Sequence, residues 1–596
     1  MFRPAREPQS KRHVRNSYYV LGEGIFNDPG TSSDAPVEPS TPSTIASLRK
    51  FRFSRLSPMP GTTVTSRALR EALAKAMTPD PAGPAGESPD SSRPAIPAGF
   101  TYLGQFVDHD LTLDATIRDL EQDVTVEELI QGRSPALDLD SLYGRGPQKP
   151  QDRKFYGPDG IRLRTGRTQP VGGADGVNDV PQQELDGFDL PRVGIGSSIG
   201  ERRAALIPDP RNDENLAVAQ IHCAFIRFHN KVVSDLAAKG TDSTVLFDTA
   251  RELVVKHYQW MLRTDYLIQI VDDQIVDDVF THGRRYFDVA PEIKYADGAV
   301  EDDTYRTLQP GDAPTMPIEF SVAAFRLGHS MVRAEYEWNR VFNSGQGPGV
   351  IAPATLRLIF VFSATSGNFQ PFPPDDDNPD AGTAERLPTN WVADLPRLFD
   401  FSETGRKELM RTADQFNLAK RIDTLLVDML KELPLGSFGA RGATVPEIER
   451  NLAFRNLTRA NMLKLATGQE MAEFFKLDED ERLTEDEIEQ GSGGASLAEL
   501  SPEDRELIRT KTPLWFYILR EAEVKGGGRL TGVGGRIVAE VFHRAMEGSK
   551  HSIVRDPEWR PTLAVDRSTF RMSDLLLYAF EGKAELLNPL GPPPGL

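Results

Sequence analysis

The chain holds a single cysteine in 596 residues, Cys223, so no intrachain disulfide can staple it. Long apolar runs are absent as well. No stretch approaches the roughly 20 residues that span a bilayer, and the basic N-terminus MFRPAREPQSKRHVRNSYYV lacks the apolar core of a secretory signal. These absences point to a soluble, cytoplasmic protein with no membrane span, leaderless export being left open. Basic clusters are missing too: 69 Lys and Arg stand against 88 Asp and Glu, a net charge of −19. No segment has the cation density that follows a phosphate backbone, which removes nucleic acid as a partner. Strand-like alternation is scarce and no internal repeat is visible, which leaves a mainly α chain.

What is present is a globular composition, 39% hydrophobic and 26% charged, in a chain long enough for one large domain or several ordinary ones. Residues 1–94 read as an N-terminal arm and linker, with a short helix in SRALREALAKAM and a Pro/Gly/Ser-rich loop, PDPAGPAGESPDSSRPAIPAG, leading out of it. The arm either wraps the main domain or stays mobile. Residues 95–596 form that domain, with further loop-rich stretches at 144 to about 205 and at 369 to 390. In the second of these, Asp375, Asp376 and Asp377 are read as solvated charge rather than a metal site. After Arg211 the apolar residues Leu216, Ala219, Phe225, Phe228, Val232 and Leu236 recur at helical spacing, predicting one long core helix capped by Asn212 or Asp213. Cys223 belongs to that helix as a small buried filler, and His222 and His229 are read as satisfied core residues. IEFSVAAFRLGHSMV reads as another helix, and Thr467 with Glu470 has capping-box spacing before a third. The late glycine run GGGRLTGVGGRIVAEV meets no phosphate-loop spacing and is expected to make a tight turn into a packed helix.

Five segments carry chemistry: GQFVDHDLTL from 104, SPALDLDSLYG from 134, DPRNDEN from 209, AFRLGH from 324 and LAFRNLTRA from 452. If QFVDHDL is helical, Gln105 and His109 lie one turn apart on one face, while Asp108 and Asp110 point roughly a hundred degrees to either side. One helix then serves three neighbours. Arg211, after a proline and before a helix start, is a cation that can be fixed at a loop-to-helix junction.

Together these segments resemble the animal-type haem peroxidases of the peroxidase and cyclooxygenase superfamily, most closely their bacterial branch, over about residues 95 to 565. The resemblance implies a large, mainly α domain of many helices and long loops, with very little β, around a buried haem b. It makes His109 the distal base that takes a proton from hydrogen peroxide and returns it to the leaving oxygen, a task suited to imidazole because its pKa lies near neutrality. Gln105 would steady distal water, and Arg211 would stabilise negative charge as the peroxide bond breaks. His329 is the implied ligand of the haem iron, Asn456 the partner of its other nitrogen, and Arg326 and Arg459 the partners of haem propionates. Asp108 and Glu214 match carboxylates that form esters with haem methyls. Asn215 stands where a few relatives have a methionine that adds a sulfonium link, so that third bond is not expected. The implied calcium site draws on Asp110, Ser134, Asp138 and Asp140 with the Ala136 carbonyl, a set that approaches the six to eight oxygens calcium takes.

The reaction implied is the reduction of hydrogen peroxide with oxidation of a small electron donor. Without the electron-withdrawing sulfonium, iodide, thiocyanate or phenols are favoured over chloride. Three other readings stay open, one of them a calcium-stabilised interaction protein without haem, which His329 with Asn456 opposes. A fatty-acid dioxygenase of the same superfamily is opposed by Arg326, which stands where those enzymes carry a radical-forming tyrosine three residues before the proximal His. A non-enzymatic haem-binding sensor is opposed by the presence of both His109 and Arg211, which haem binding alone does not require. The sequence does not read out the oligomeric state.

Overall fold

The structure is a computed structural model that describes residues 51–57, 60–79, 95–116, 120, 122–170, 184–288, 315–346, 349–367, 369, 384–434, 437, 445–564 and 568–591, together with the backbone of 17–20 and 24–27. Most of the N-terminal arm, the Pro/Gly/Ser-rich run from 80 to 94 and the three aspartates at 375 to 377 lie outside these residues.

Helices dominate and strands are short, in agreement with the mainly α expectation. Helix α1, Arg67–Met77, begins where the Ser66 side chain accepts a hydrogen bond from the Leu69 amide. It buries Leu69, Leu73, Ala74 and Met77, a stripe at helical spacing. Helix α2, Gly99–Leu111, is the GQFVDHDL helix, and it packs on the longest helix of the described chain, α3, Leu216–Ala238. Phe106 of α2 stacks on Phe225 of α3 with ring centroids 4.6 Å apart, and Tyr258 of α4, Leu246–Met261, meets Phe225 edge-on at 5.6 Å. These buried rings set the rotation of α2 and hence the direction in which His109 points.

Helix α3 is one long core helix, as its spacing predicts, but its cap is Asn215, whose side chain accepts from the Val218 amide. Neither Asn212 nor Asp213 serves. Pro210–Asp213 form a 3₁₀ turn of their own, capped by Asp209, and the backbone becomes extended at Asn215 (φ −143°, ψ 158°) before α3 starts.

The segment from Ile318 to Met331 departs further from expectation. It is a π-helical turn, Glu319–Ala323, a 3₁₀ turn, Ala324–Leu327, and a single α turn, Gly328–Met331, with the backbone breaking at Ala323 (φ −127°, ψ −75°). Two contacts oppose a regular helix here. The buried Glu319 carboxylate accepts the Leu56 and Ser57 amides at 2.8 and 3.3 Å. Phe320 stacks on Phe325 at 4.7 Å, a five-residue offset that the α repeat does not align. Strand Thr315–Pro317 anchors the start of this segment by pairing parallel to Phe51–Ser54, which also pairs antiparallel to Ile130–Gln131.

Helix α5, Leu452–Met462, is capped by Asn451 and packs against α1 and against the π-helical turn. Helices α6, Leu514–Val524, and α7, Gly532–Gly548, complete the core, with α7 buried through most of its length. The glycine run makes the turn between them. Gly532 has φ +37°, and a Cβ there would lie 2.3 Å from Glu521, whose carboxylate accepts the Val533 and Gly534 amides at 3.0 Å. Thr467 and Glu470 form the expected capping box of Gly468–Phe474.

Candidate functional site

A cavity of about 290 Å³ lies among α2, the broken helical segment and α5. Helix α2 contributes Gln105, Asp108 and His109 to its lining, the start of α3 contributes Glu214 and Asn215, and the broken segment contributes Arg326 and His329. Phe325, Met331, Leu356 and Phe360 are apolar parts of its wall.

On the α2 side the polar groups are knitted together. Gln105 Nε2 donates to Glu214, and Asn215 Nδ2 donates to Gln105 Oε1 at 2.7 Å. His109 Nε2 lies 3.5 Å from Glu214 Oε1, while His109 Nδ1 is 2.8 Å from Asn212 Oδ1. Burial alone would raise the Glu214 carboxyl, but the hydrogen bond and charge of His109, with Arg211 and Gln105, hold it below the usual carboxylate range. Asp108 accepts from Thr112 Oγ1 at 2.9 Å.

On the other side His329 meets Asn456 of α5, with Asn456 Nδ2 3.0 Å from His329 Nδ1. With the amide turned so that Oδ1 faces the ring, Nδ1–H donates and Nε2 is left free as a ligand. Desolvation, reinforced by the Arg326 guanidinium, pushes the His329 imidazole down to about 3, so the ring is neutral. Arg326 Nε donates to the Ser321 carbonyl at 2.9 Å, a bond across the break in the helix. The π-helical turn thus helps set the direction of the arginine that faces the cavity.

Arg211 does not reach the cavity lining among the described residues. Its guanidinium is held by Asp209, with Nη2 at 2.7 Å from Oδ2, and it donates to the His109 and Thr112 carbonyls at the end of α2. Asp209 is shared with Arg133 at 2.6 Å, and these two guanidinia overcome burial and hold its carboxyl well below the ordinary range. Arg459 is likewise apart from the main cavity. It pairs with Asp114 and lines a second cavity of about 280 Å³. Arg326 and Arg455 line both cavities. Arg455 is a residue that sequence reasoning missed, although it stands beside Asn456 in the same motif.

Asp110, on the far side of α2, forms a buried cluster with Asp138 and Asp140, one carboxylate oxygen of each lying within 4.8 Å of the others. Leu139 between them adopts φ +60°, which turns consecutive loop residues inward. Backbone amides of Leu139 and Ser141 reach Asp110, and that of Ser134 reaches Asp140. Among the described residues, Ser134 Oγ, Asp138 Oδ1 and Asp140 Oδ1 are buried with no hydrogen-bonding partner. Burial, together with the charges of Asp140 and Asp138, raises the Asp110 carboxyl; burial pushes Asp138 up to about 6 and Asp140, despite Arg133, up to about 8. Three carboxylates and a hydroxyl short of counter-charge suit a hard divalent cation, so the donor set fits calcium. Ala136, fully buried, belongs to the same loop.

The sequence model of the animal haem peroxidase family matches residues 113–365, a little over two fifths of the chain. The matched stretch holds Ser134 to Asp140, Arg211, Glu214, Arg326 and His329; α2 up to Leu111, and Asn456 with Arg459, lie outside it. A peroxidase-like protein from Margaritifera margaritifera is 26% identical over 167 residues, which is 28% of this chain and 18% of that protein. The aligned part thus spans less than a fifth of that relative's length. Among solved structures, peroxidase A from Dictyostelium discoideum has a similar fold, with a TM-score of 0.52 and 14% identity over 97% of this chain and 99% of its own. A fatty acid alpha-dioxygenase from Arabidopsis thaliana gives a TM-score of 0.44 and 10% identity, covering 97% of this chain and 83% of its own.

Proposed function

We propose that this chain is a haem-dependent peroxidase that reduces hydrogen peroxide and oxidises a small donor. The observation that carries the reading is a single cavity lined by His109, Gln105, Asp108 and Glu214 from one side and by Arg326 and His329 from another, with His329 backed by Asn456. A haem held there supplies an iron that binds peroxide and stores the oxidising equivalents passed on to the donor. His329 Nε2 is the group that would bind the iron, its ring steadied by Asn456. Arg326 would pair with a propionate, with Arg459 a further partner at the rim, where the second cavity opens beyond Arg326 and Arg455.

His109 performs the proton work. With Nδ1 on Asn212, its Nε2 faces the cavity and can take a proton from peroxide and return it to the departing oxygen. Gln105 holds Glu214 and would order water beside it. Arg211 acts at one remove, keeping the end of α2 fixed through the His109 and Thr112 carbonyls. Asp108 and Glu214, both carboxylates on the cavity wall, would each form an ester with a haem methyl, the new C–O bond replacing a methyl C–H bond in a two-electron oxidation for which hydrogen peroxide is the oxidant, and Asn215 offers no sulfur for a third link. Calcium on Asp110, Asp138, Asp140, Ser134 and the Ala136 carbonyl would complete the far side of α2.

The reading is tested by supplying haem and hydrogen peroxide and following the oxidation of iodide, thiocyanate, phenols and chloride separately. Turnover of the first three ahead of chloride at neutral pH is expected. Haem-loaded protein that leaves peroxide unconsumed would refute it. Oxygenation of a free fatty acid as the main reaction would favour the dioxygenase alternative instead.

A further inference from the structure

Asn212 and His222 lie behind the distal base, and neither lines the cavity. Asn212 is fully buried in the 3₁₀ turn Pro210–Asp213, and His222 is fully buried on α3, with the Phe106 ring edge-on at 5.7 Å. The three side chains form a line. His109 Nδ1 lies 2.8 Å from Asn212 Oδ1, and Asn212 Nδ2 lies 2.9 Å from His222 Nδ1.

We infer that Asn212 is a positioning residue that holds His109 in the tautomer whose Nε2 can accept a proton, and that His222 in turn fixes the direction of the Asn212 amide. The inference rests on the peroxidase reading above only for the consequence in turnover; the tautomer itself is a property of the chain. A ring that accepts at Nε2 must carry its other proton at Nδ1, and a buried N–H needs an acceptor. Asn212 Oδ1 is that acceptor, and it opposes Glu214 Oε1, which lies 3.5 Å from Nε2 and would favour a proton there. The NH₂ end of the amide then faces away and needs an acceptor in its turn, which His222 Nδ1 provides while His222 is neutral and carries its proton on Nε2. Turned the other way, the amide would offer N–H to His109 Nδ1 and force the proton onto Nε2, where it blocks the base. Burial pushes the His222 imidazole down to about 3, against the opposing charge of Asp209, so the ring remains the acceptor this arrangement requires. His222 Nε2 has no hydrogen-bonding partner among the described residues, so this assignment leaves its N–H unmatched by the protein, a cost set against the bond that Nδ1 accepts from Asn212. This goes beyond reading His222 as a satisfied core histidine, since its place in the core sets the chemistry of a residue it does not touch.

The test combines two readouts on the full chain. In haem-free protein labelled with nitrogen-15 histidine at about pH 9, above the ordinary imidazole range, the His109 resonances are assigned by their loss in His109→Ala. They should report the Nδ1–H form. Asn212→Leu should move them toward the Nε2–H form and, in haem-loaded protein, slow the reaction with hydrogen peroxide roughly tenfold to a hundredfold, taking as scale the loss of an outer partner from a metal-bound imidazole. Oxidation of the donor by protein already treated with peroxide should keep its rate. Asn212→Asp retains an acceptor and should restore both the tautomer and the peroxide step, which a purely structural role would not predict for a buried charge. A wild-type His109 found in the Nε2–H form overturns the inference without needing any variant to fold. So does a folded Asn212→Leu protein with an unchanged tautomer and unchanged peroxide rate. Protein that shows the Nδ1–H form yet ignores peroxide when haem-loaded would sink the peroxidase reading and leave the tautomer assignment standing.

Discussion

His109 has one ring nitrogen on Asn212 and the other toward Glu214 and the cavity, so its loss should strike proton transfer and spare haem binding. His109→Ala is expected to bind haem with a normal absorption band while its reaction with peroxide slows by about 10²- to 10⁴-fold, the scale of general acid–base catalysis. Stopped-flow absorption checks this, and a wild-type rate in the variant would take His109 out of the mechanism. Asp108 and Glu214 are the other cavity residues with a distinct signature. Repeated peroxide treatment should leave haem that resists acidic organic solvent, whereas Asp108→Asn with Glu214→Gln should release it; mass spectrometry of haem peptides reads the linkage directly. These residues were legible in the sequence because each sits inside a short motif. Asn212, His222 and Asp209 were not, because what matters in them is a spatial partner far along the chain: Asn212 reads locally as a helix cap and acts instead as a bridge between two imidazoles.

The position of α2 depends on what lies behind it. Arg133, buried to 7% exposure of its side chain, joins Asp209 at 2.6 Å and Asp140 at 3.7 Å, and Asp209 in turn holds Arg211 against the end of α2. The loop carrying Ser134, Asp138 and Asp140 and helix α2 are therefore coupled through two arginines and an aspartate. Removing Arg133 would take the arginine from Asp140 and leave Asp209 with Arg211 alone; a buried charge left with no partner typically costs about 3 to 5 kcal/mol, and the retained Arg211 places this change toward or below the lower figure. Arg133→Met should accordingly lower Tm and slow the peroxide step together, measured by thermal unfolding alongside stopped flow. Chelation should act in the same direction, with Tm rising again as free calcium is restored, as linkage requires; stability indifferent to chelator in extensively dialysed protein would count against the site. Element by element, α3 can be read from apolar spacing, whereas for α2 the sequence offers a helix over QFVDHDL only as a supposition. The segment before His329 cannot be read so, since its pattern is that of a plain helix and the π turn arises from the tie of Glu319 to Leu56 and Ser57 and the stacking of Phe320 on Phe325.

Across the whole molecule, helices that are distant in sequence supply the cavity, and the fold serves mainly to bring α2, the start of α3, the broken segment and α5 to one place. The helical character and the pairing of His329 with Asn456 followed from the residues and the family resemblance. The exclusion of Arg211 from the cavity wall and the second cavity beside Arg326 and Arg455 did not, since both depend on how packing directs long side chains. Among the described residues no helix is long and apolar enough to cross a membrane, and the net charge of −19 offers no general attraction for anionic donors. On the proposed reading, selection among donors then falls to the local lining of the cavity. The most direct test of the central claim is a titration of the purified 596-residue chain with haem, followed by absorption in parallel with His329→Ala. A Soret band that saturates at one haem per chain, is lost or strongly altered in His329→Ala, and changes on addition of hydrogen peroxide only in the wild type is the predicted result. A wild-type chain that forms no such band, or a His329→Ala protein with the same band and the same response to peroxide, would contradict it.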